Sequence, residues 1–417
     1  MNEVVITGIG TINPIANNTD EFKKSLEEMR VGIGSIKDFD TEDHKVKIAG
    51  EIETELEEII DLGRASKRYD RVLKLALIAG KEAIEDSGLD RNGNWKESAA
   101  VTVSSGIGGF KTLFAESKKY MENGPKTVSP FLIPMMIPDM VSGIIAIHHG
   151  LKGPNFSLIS ACASSLHAIA ISSLMIRHGY VDVAVTGGAE ASINELAIAA
   201  FANMRALSTK NDSPGNASRP FDKERDGFVM SEGAGVLVLE SEKHARERNG
   251  NIYGYIKGFG MSGDAYHISA TEPTGEGAGV CIESCLKDAQ TEPEEVDLIN
   301  CHATGTPTGD KSELLAIKKA FGEHSGKPYV QSTKALIGHS LGAAGAIELI
   351  ASILESKYSF IHGMPSLIEK DENLEGINIS TETISKEVKN VLKNSFGFGG
   401  HNVSILYCSQ QKERMIE

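Results

Sequence analysis

Two segments of this chain repeat one pattern, and no other feature narrows the fold as much. Val4-Val5-Ile6-Thr7 runs into Gly8-Ile9-Gly10, and Ile252 to Lys257 runs into Gly258-Phe259-Gly260. Each is an apolar strand followed by Gly-x-Gly. A chain of 417 residues is too long for one ordinary core. A strand-glycine unit opening each part predicts a duplicated α/β unit, with halves 1–250 and 251–417. The first copy also looks like the start of a dinucleotide-binding turn. Asn13 stands where the third glycine belongs and Pro14 follows, which argues against a nicotinamide site.

The rest of the chain reads as alternating strands and helices. Ala99 to Ser104 predicts a strand, followed by a loop at Ser105-Gly106-Ile107-Gly108-Gly109. The Pro- and Met-rich stretch Pro130 to Met140 reads as a packed irregular segment rather than a helix. Val181 to Thr186 predicts a buried parallel strand ending in Gly187-Gly188-Ala189-Glu190, and Ala234 to Leu239 another strand. The charged stretch Glu240 to Gly250 reads as a surface helix joining the halves. Strands follow at Val296 to Cys301, Tyr329 to Thr333 and Val403 to Tyr407, the last preceded by Asn394 to Asn402.

Charge and cysteine usage bound the function. A net charge of −15 excludes a nucleic-acid partner and means that any acidic partner needs a local basic patch. Arg64, Lys67, Arg68 and Arg71 supply a candidate, since their spacing puts them on one helical face. Five cysteines form no dense framework, and their odd number predicts reduced thiols in the cytoplasm. No secretory signal is expected, because Met1-Asn2-Glu3 has no basic lead. The longest apolar region, Phe131 to Ile147, is broken by Pro134, Pro138 and Asp139, so no membrane insertion is expected.

Cys162 is the candidate nucleophile. It lies in Ser160-Ala161-Cys162-Ala163-Ser164-Ser165, between a turn at Gly153-Pro154 and a helix from Leu166 to Arg177, with Gly179 as its cap. A helix start favours a thiolate, the attacking form. His302 and His339 each sit in a small-residue turn after a strand, and Lys334 lies five residues before His339. A cysteine with two such histidines is a nucleophile-plus-base arrangement. Metal is not expected, since zinc spacing is lacking and Cys281 and Cys285 read as packing on a helix.

Four segments then resemble the β-ketoacyl-acyl-carrier-protein synthases, in particular the type II elongating enzymes. They are Ser-Ala-Cys162-Ala-Ser-Ser, His302-Ala-Thr-Gly-Thr-Pro-Thr-Gly-Asp, Thr-Lys334-Ala-Leu-Ile-Gly-His339-Ser-Leu-Gly-Ala-Ala-Gly and Asn-Ser-Phe-Gly-Phe398-Gly-Gly. The resemblance spans essentially the whole chain. It implies an α/β, thiolase-like duplicated fold, five-layer αβαβα, in a homodimer. It implies Cys162 as the acyl-accepting nucleophile, with the N–H groups of Cys162 and Phe398 as the oxyanion hole. His302 and His339 would stabilise the malonyl enolate, and Lys334 would hold that arrangement and add positive charge. Thr304 and Thr306 would bind pantetheine, with Ser269 and Phe396 also toward substrate. Phe398 would be a gate, and Ile107 would bear on acyl length. Lys67, Arg68, Lys126 and Arg205 would meet the acyl-carrier protein. No cofactor is implied, since the substrates ride on the carrier's phosphopantetheine.

Departures from the family pattern touch none of the acid–base groups. Ser164 and Leu336-Ile337 stand where Thr and Met-Thr are commoner, and Ser269 stands for a usual threonine. They leave two pathways open, fatty-acid elongation or a specialised type II polyketide or polyene. A chain-length-factor-like partner is disfavoured because it would lack Cys162. A degradative thiolase is disfavoured because Cys408 has no Cys-x-Gly turn.

Overall fold

The computed structural model describes residues 1–91 and 93–409. Nine strands form the main sheet: β1 Val4–Ile12, β2 Ala100–Ser104, β3 Val183–Glu190, β4 Gly233–Ser241, β5 Gly254–Gly263, β6 Leu298–Asn300, β7 Tyr329–Gln331, β8 Asn390–Gly397 and β9 His401–Cys408. Their spatial order is β2-β3-β4-β1-β5-β9-β8-β6-β7. The helices that position the site are α1 Arg71–Asp86, α2 Met140–His149, α3 Ser164–Arg177, α4 Glu276–Ala289, α5 Pro307–Phe321 and α6 Ala344–Tyr358.

The duplication is visible in the pairing. In the first half β2 and β3 are parallel, β3 and β4 antiparallel, and β4 and β1 antiparallel. In the second half β6 and β8 are parallel, β8 and β9 antiparallel, and β9 and β5 antiparallel. Within the main sheet the two halves meet at β1 and β5, where Val5 pairs with Tyr255 and Ile6 with Gly254. That short seam lets the sheet bend back on itself.

Helices α3 and α6 fill the space enclosed by the bend, and each packs on strands of both halves. Leu166, Ile169, Ile347 and Ile350 are fully buried in the core they share. A second core lies under α1, and a third under α4 and α5. Outer helices, half-sheet, α3 with α6, half-sheet and outer helices are five layers, αβαβα, as a thiolase-like fold requires.

The repeated glycines lie inside β1 and β5, not in loops after them, and they serve packing. A Cβ on Gly8 would meet the Ala83 carbonyl oxygen at 2.1 Å, and one on Gly10 the Ala79 oxygen at 2.2 Å. In the second half a Cβ on Gly260 would meet the Cys281 oxygen at 2.0 Å. Helices α1 and α4 thus rest directly on strand backbone, which only glycine permits.

Several expected elements differ. Pro130 to Met140 contains a short helix, Leu132–Met136, and α2 begins at Met140. Pro134 falls in the first turn of that short helix, where its missing N–H has no partner to lose. The segment is also open rather than packed, with Ile133 58% exposed. β3 continues through Gly187 and Gly188 to Glu190, and it is parallel to β2 but antiparallel to β4. Asn394 to Asn402, which precedes the expected last strand, forms the end of β8, a hairpin turn and the start of β9. Within 240–250 only Glu242–Glu247 is helical. Glu240 lies next to the end of β4, fully buried, and meets Arg248 and His244.

Candidate active site

Cys162 follows Ala161, a non-glycine residue at φ 51°, and sits in a 3-10 turn from Ala161 to Ala163 that feeds α3. The strained residue turns the sulfur toward a cavity of about 500 Å³. The same cavity is lined by His302, His339, Thr304, Thr306, Ser269, Ile107, Phe396, Phe398 and Arg205. Cys162 comes from the first half, and both histidines come from the second. Their rings stand 5.3 Å apart at 82°.

The electrostatics correct one expectation. Burial pushes the Cys162 thiol up to about 12, against the pull of Lys334 and of the N–H groups of Phe398 and Cys162. The helix start therefore does not produce a resting thiolate; the sulfur rests as a thiol. Those two N–H groups nevertheless face the sulfur. Burial also drives both imidazoles well below the usual histidine range, and Lys334 adds to the effect. Both rings are neutral, so each has one N–H to donate. The Nδ1 atoms of His302 and His339 are buried without a hydrogen-bond partner among the described residues.

The supporting residues are mostly ones that motif reading did not single out. Glu313 on α5 accepts the backbone N–H of His302 at 2.9 Å and of Ala303 at 2.7 Å. Asp310 accepts those of Thr304 at 3.0 Å and Gly305 at 3.1 Å, shaping the threonine loop. Lys334 is fully buried and lies 2.5 Å from Glu348 of α6, whose other oxygen is 2.8 Å from Lys393 of β8. Glu190 at the end of β3 accepts from Gly106 N at 2.8 Å and Gly342 N at 3.0 Å, tying the Ile107 loop to the second half. Carboxylates inside the apolar helix Ala344–Tyr358 were the available signal for Glu348.

Ile107 packs in one cluster with Cys162, Phe201 and Phe228. Phe398 is half-buried with its ring 6.3 Å from Phe201, and Gly399 and Gly400 after it adopt φ of 86° and 74°. Thr304 and Thr306 have their hydroxyls 3.1 Å apart.

The basic residues do not form the single helical face expected. Arg64 to Arg68 is a 3-10 turn, Tyr69 is extended, and α1 starts at Arg71. The side chain of Arg64 lies outside the described residues. Arg71 turns inward to Glu232 at 2.7 Å, so it leaves the patch. Lys67, Arg68, Lys126 and Arg205 are exposed, on three separate segments, and of these Arg205 lines the cavity. Arg68 stacks 4.6 Å above Phe131. Among the described residues no group of side chains has a metal-ligating arrangement, and no helix is long and apolar enough to cross a membrane.

Residues 1–245 match the family model described as "Beta-ketoacyl synthase, N-terminal domain", and residues 253–367 the one described as "Beta-ketoacyl synthase, C-terminal domain". A relative from Staphylococcus aureus strain N315, 3-oxoacyl-[acyl-carrier-protein] synthase 2, is 42% identical over 405 residues, covering 97% of both chains. The solved ishigamide ketosynthase/chain length factor is 30% identical with a TM-score of 0.91, covering 98% of this chain and 100% of that one. A type II PKS acyl-carrier protein in complex with its ketosynthase bound to the hexaketide gives 27% identity and a TM-score of 0.88, covering 98% of this chain and 100% of the other.

Proposed function

Since this chain belongs to the β-ketoacyl synthase family, we infer that it is an elongating 3-oxoacyl-[acyl-carrier-protein] synthase. It is an acyltransferase that joins an acyl thioester to malonyl-carrier protein with loss of carbon dioxide, lengthening a fatty acid by two carbons. One observation carries the reading: Cys162 of one half and His302 with His339 of the other line a single cavity.

In the first step Cys162 Sγ bonds to the acyl carbon, the carrier's S–C bond breaks, and the thiol proton leaves on the carrier's pantetheine sulfur. A thiol held near 12 fits this exchange, because the proton lost by one sulfur is taken by the other. The N–H groups of Cys162 and Phe398 receive the oxyanion as it forms. In the second step the malonyl carboxylate leaves as carbon dioxide, and the enolate oxygen accepts from His302 and His339. The enolate carbon attacks the acyl carbon, the Cys162 S–C bond breaks, and the sulfur regains a proton from solvent. Neutral imidazoles suit the second step, since a donor is needed and a full proton transfer is not.

Thr304, Thr306 and Ser269 are assigned to the pantetheine arm, Phe396 and Ile107 to the acyl pocket, and Phe398 to a gate. Lys334 holds the histidine arrangement and adds positive charge. Lys67, Arg68, Lys126 and Arg205 are assigned to the acidic carrier protein. The protein uses no cofactor of its own, works as a homodimer and is placed in the cytoplasm. Residues 1–250 and 251–417 are proposed as the two copies of the duplicated unit, which the matching strand order supports. The S. aureus relative, more similar than the ishigamide ketosynthase and the type II PKS ketosynthase, favours fatty-acid elongation over a specialised pathway. Intact-mass measurement after incubation with acyl-carrier proteins of several lengths tests this. One acyl group is expected on the native enzyme and none on Cys162→Ala, and an unmodified native enzyme refutes the reading.

A further inference from the structure

Lys393 lies one residue before the Asn394-to-Gly400 motif, in β8, and the mechanism above gives it no task. Its side chain is fully buried. A lysine there costs free energy unless it is paired, and Lys393 is paired in an unusual way. Its ammonium lies 2.8 Å from Glu348 Oε2, while Lys334 lies 2.5 Å from Glu348 Oε1. Two buried ammonium groups therefore share one carboxylate. Lys393 also donates to the carbonyl of Asn300 at 3.3 Å and to that of Asn394. Asn300 ends β6, two residues before His302.

The second carboxylate nearby does not cancel this charge by contact. Glu313 uses its oxygens on the backbone of His302 and Ala303 and on the Asn394 amide, at 3.1 Å. Lys393 thus spans the strand that carries the gate, the strand end that carries His302 and the carboxylate that anchors Lys334.

We propose that Lys393 is a positioning residue for the condensation. By sharing Glu348 it braces Lys334 and leaves the buried Lys334–Glu348–Lys393 group with a net positive charge that acts on the two imidazoles. That charge favours an enolate over a protonated imidazole at the same place. A lone Lys334–Glu348 pair would still hold Lys334 but would be neutral. Electrostatic influence of Lys393 on both His302 and His339, in the direction that opposes protonation, agrees with this placement.

The inference rests on the condensation assigned above. Its test is the pH profile of condensation turnover for Lys393→Gln and Lys393→Arg. Glutamine keeps a donor for Asn300 and removes the charge, whereas arginine keeps the charge. The titratable and charged groups facing Lys393 and the site are Lys334, Glu348, Glu313, Asp310, Glu190, Asp264, Arg205, Cys301, Cys162, His362 and the two site histidines, and all are retained. Lys393→Gln is expected to lower kcat roughly tenfold or more with KM for malonyl-carrier protein nearly unchanged. Its acidic limb moves to higher pH, because loss of a neighbouring cation makes the imidazoles easier to protonate. Lys393→Arg restores the limb. A glutamine variant with native kcat and an unmoved limb overturns the proposal, as does an equal loss in both variants with no shift. Should the glutamine variant not fold, the arginine variant decides: a native limb supports the role of charge, and a displaced limb or lost turnover in a folded arginine variant overturns it. Acylation of Cys162 in the unaltered enzyme, followed by mass, separates the two levels. Its absence sinks the assigned reaction, whereas acylation with an unmoved Lys393→Gln profile sinks only this inference.

Discussion

Cys162 and Gly342 occupy the same place in the two copies of one turn. Ala161 at φ 51° and Leu341 at φ 44° each open a 3-10 turn, 161–163 and 341–343, that runs into a central helix. In the first copy the middle residue faces the cavity. In the second it backs onto the first, since a Cβ on Gly342 would stand 2.2 Å from Gly106 N and 2.9 Å from Glu190 Oε2. Duplication kept the turn in both halves and put the sulfur in one, and the other became the wall behind the Ile107 loop.

Gly342→Ala should therefore be costly. The nearest atom is backbone, which cannot swing away, and overpacking of this kind costs about 1–3 kcal/mol. We expect a lower Tm and an altered acyl-length preference, as Gly106 and Ile107 are displaced. Gly215→Ala, where a Cβ meets nothing within 4 Å, serves as the control. Equal Tm values for the two variants, with unchanged length preference, would show that the contact yields easily.

Charge reversal at Lys67 and Arg68 should separate carrier docking from chemistry. Both side chains are exposed, and neither lines the cavity. Lys67→Glu with Arg68→Glu is expected to raise KM for carrier-bound substrate and to weaken its dependence on salt. Turnover of a small pantetheine thioester should persist. Comparable loss with both substrates would assign these residues to structure.

The fold was legible where a residue's neighbours in sequence set its conformation. Strand-Gly-x-Gly marked both halves, because a glycine facing a helix is a local necessity repeated by duplication. Cys162, His302 and His339 were legible because each sits in a small-residue turn after apolar sequence. Glu190, Glu313, Glu348 and Lys393 were not, since their partners lie up to 152 residues away, as between Glu190 and Gly342. Arg71 shows the converse. Helical spacing grouped it with Lys67 and Arg68, but Asp70 caps a new helix through Val72 N, and the break turns Arg71 toward Glu232.

Stability should fall between mildly acidic and alkaline pH, with Glu355 contributing. Burial raises this carboxyl to about 8. It accepts from Gln331 Nε2 at 2.8 Å and from His362 N at 2.9 Å, but His362, lowered to about 4, offers no cation. Between an unfolded value near 4.5 and about 8 the folded state holds a proton that the unfolded chain has lost. Stability therefore declines as pH rises through that window, by a few kcal/mol at most. Glu355→Gln should flatten the fall in Tm from pH 6 to pH 9. The same slope in both proteins would remove Glu355 as a cause.

The two half-reactions should come apart at Cys162. Acylation needs its sulfur, whereas decarboxylation needs only donors for the malonyl enolate. Those donors are assigned to His302 and His339, whose rings are neutral and 5.3 Å apart. Cys162→Gln removes the nucleophile and leaves a polar side chain of similar reach in front of the Phe398 N–H. An amide there resembles the acylated sulfur and holds the site ready for malonyl substrate. Condensation should vanish while malonyl-carrier protein still releases carbon dioxide. Adding His302→Ala or His339→Ala should then suppress the release by about a hundredfold or more, the usual effect of losing one donor to a developing oxyanion. Gas release measured alongside a circular dichroism spectrum decides it. A folded Cys162→Gln protein that releases no carbon dioxide means that the sulfur is needed for both steps, and the division of roles between the two halves of the chain is then wrong.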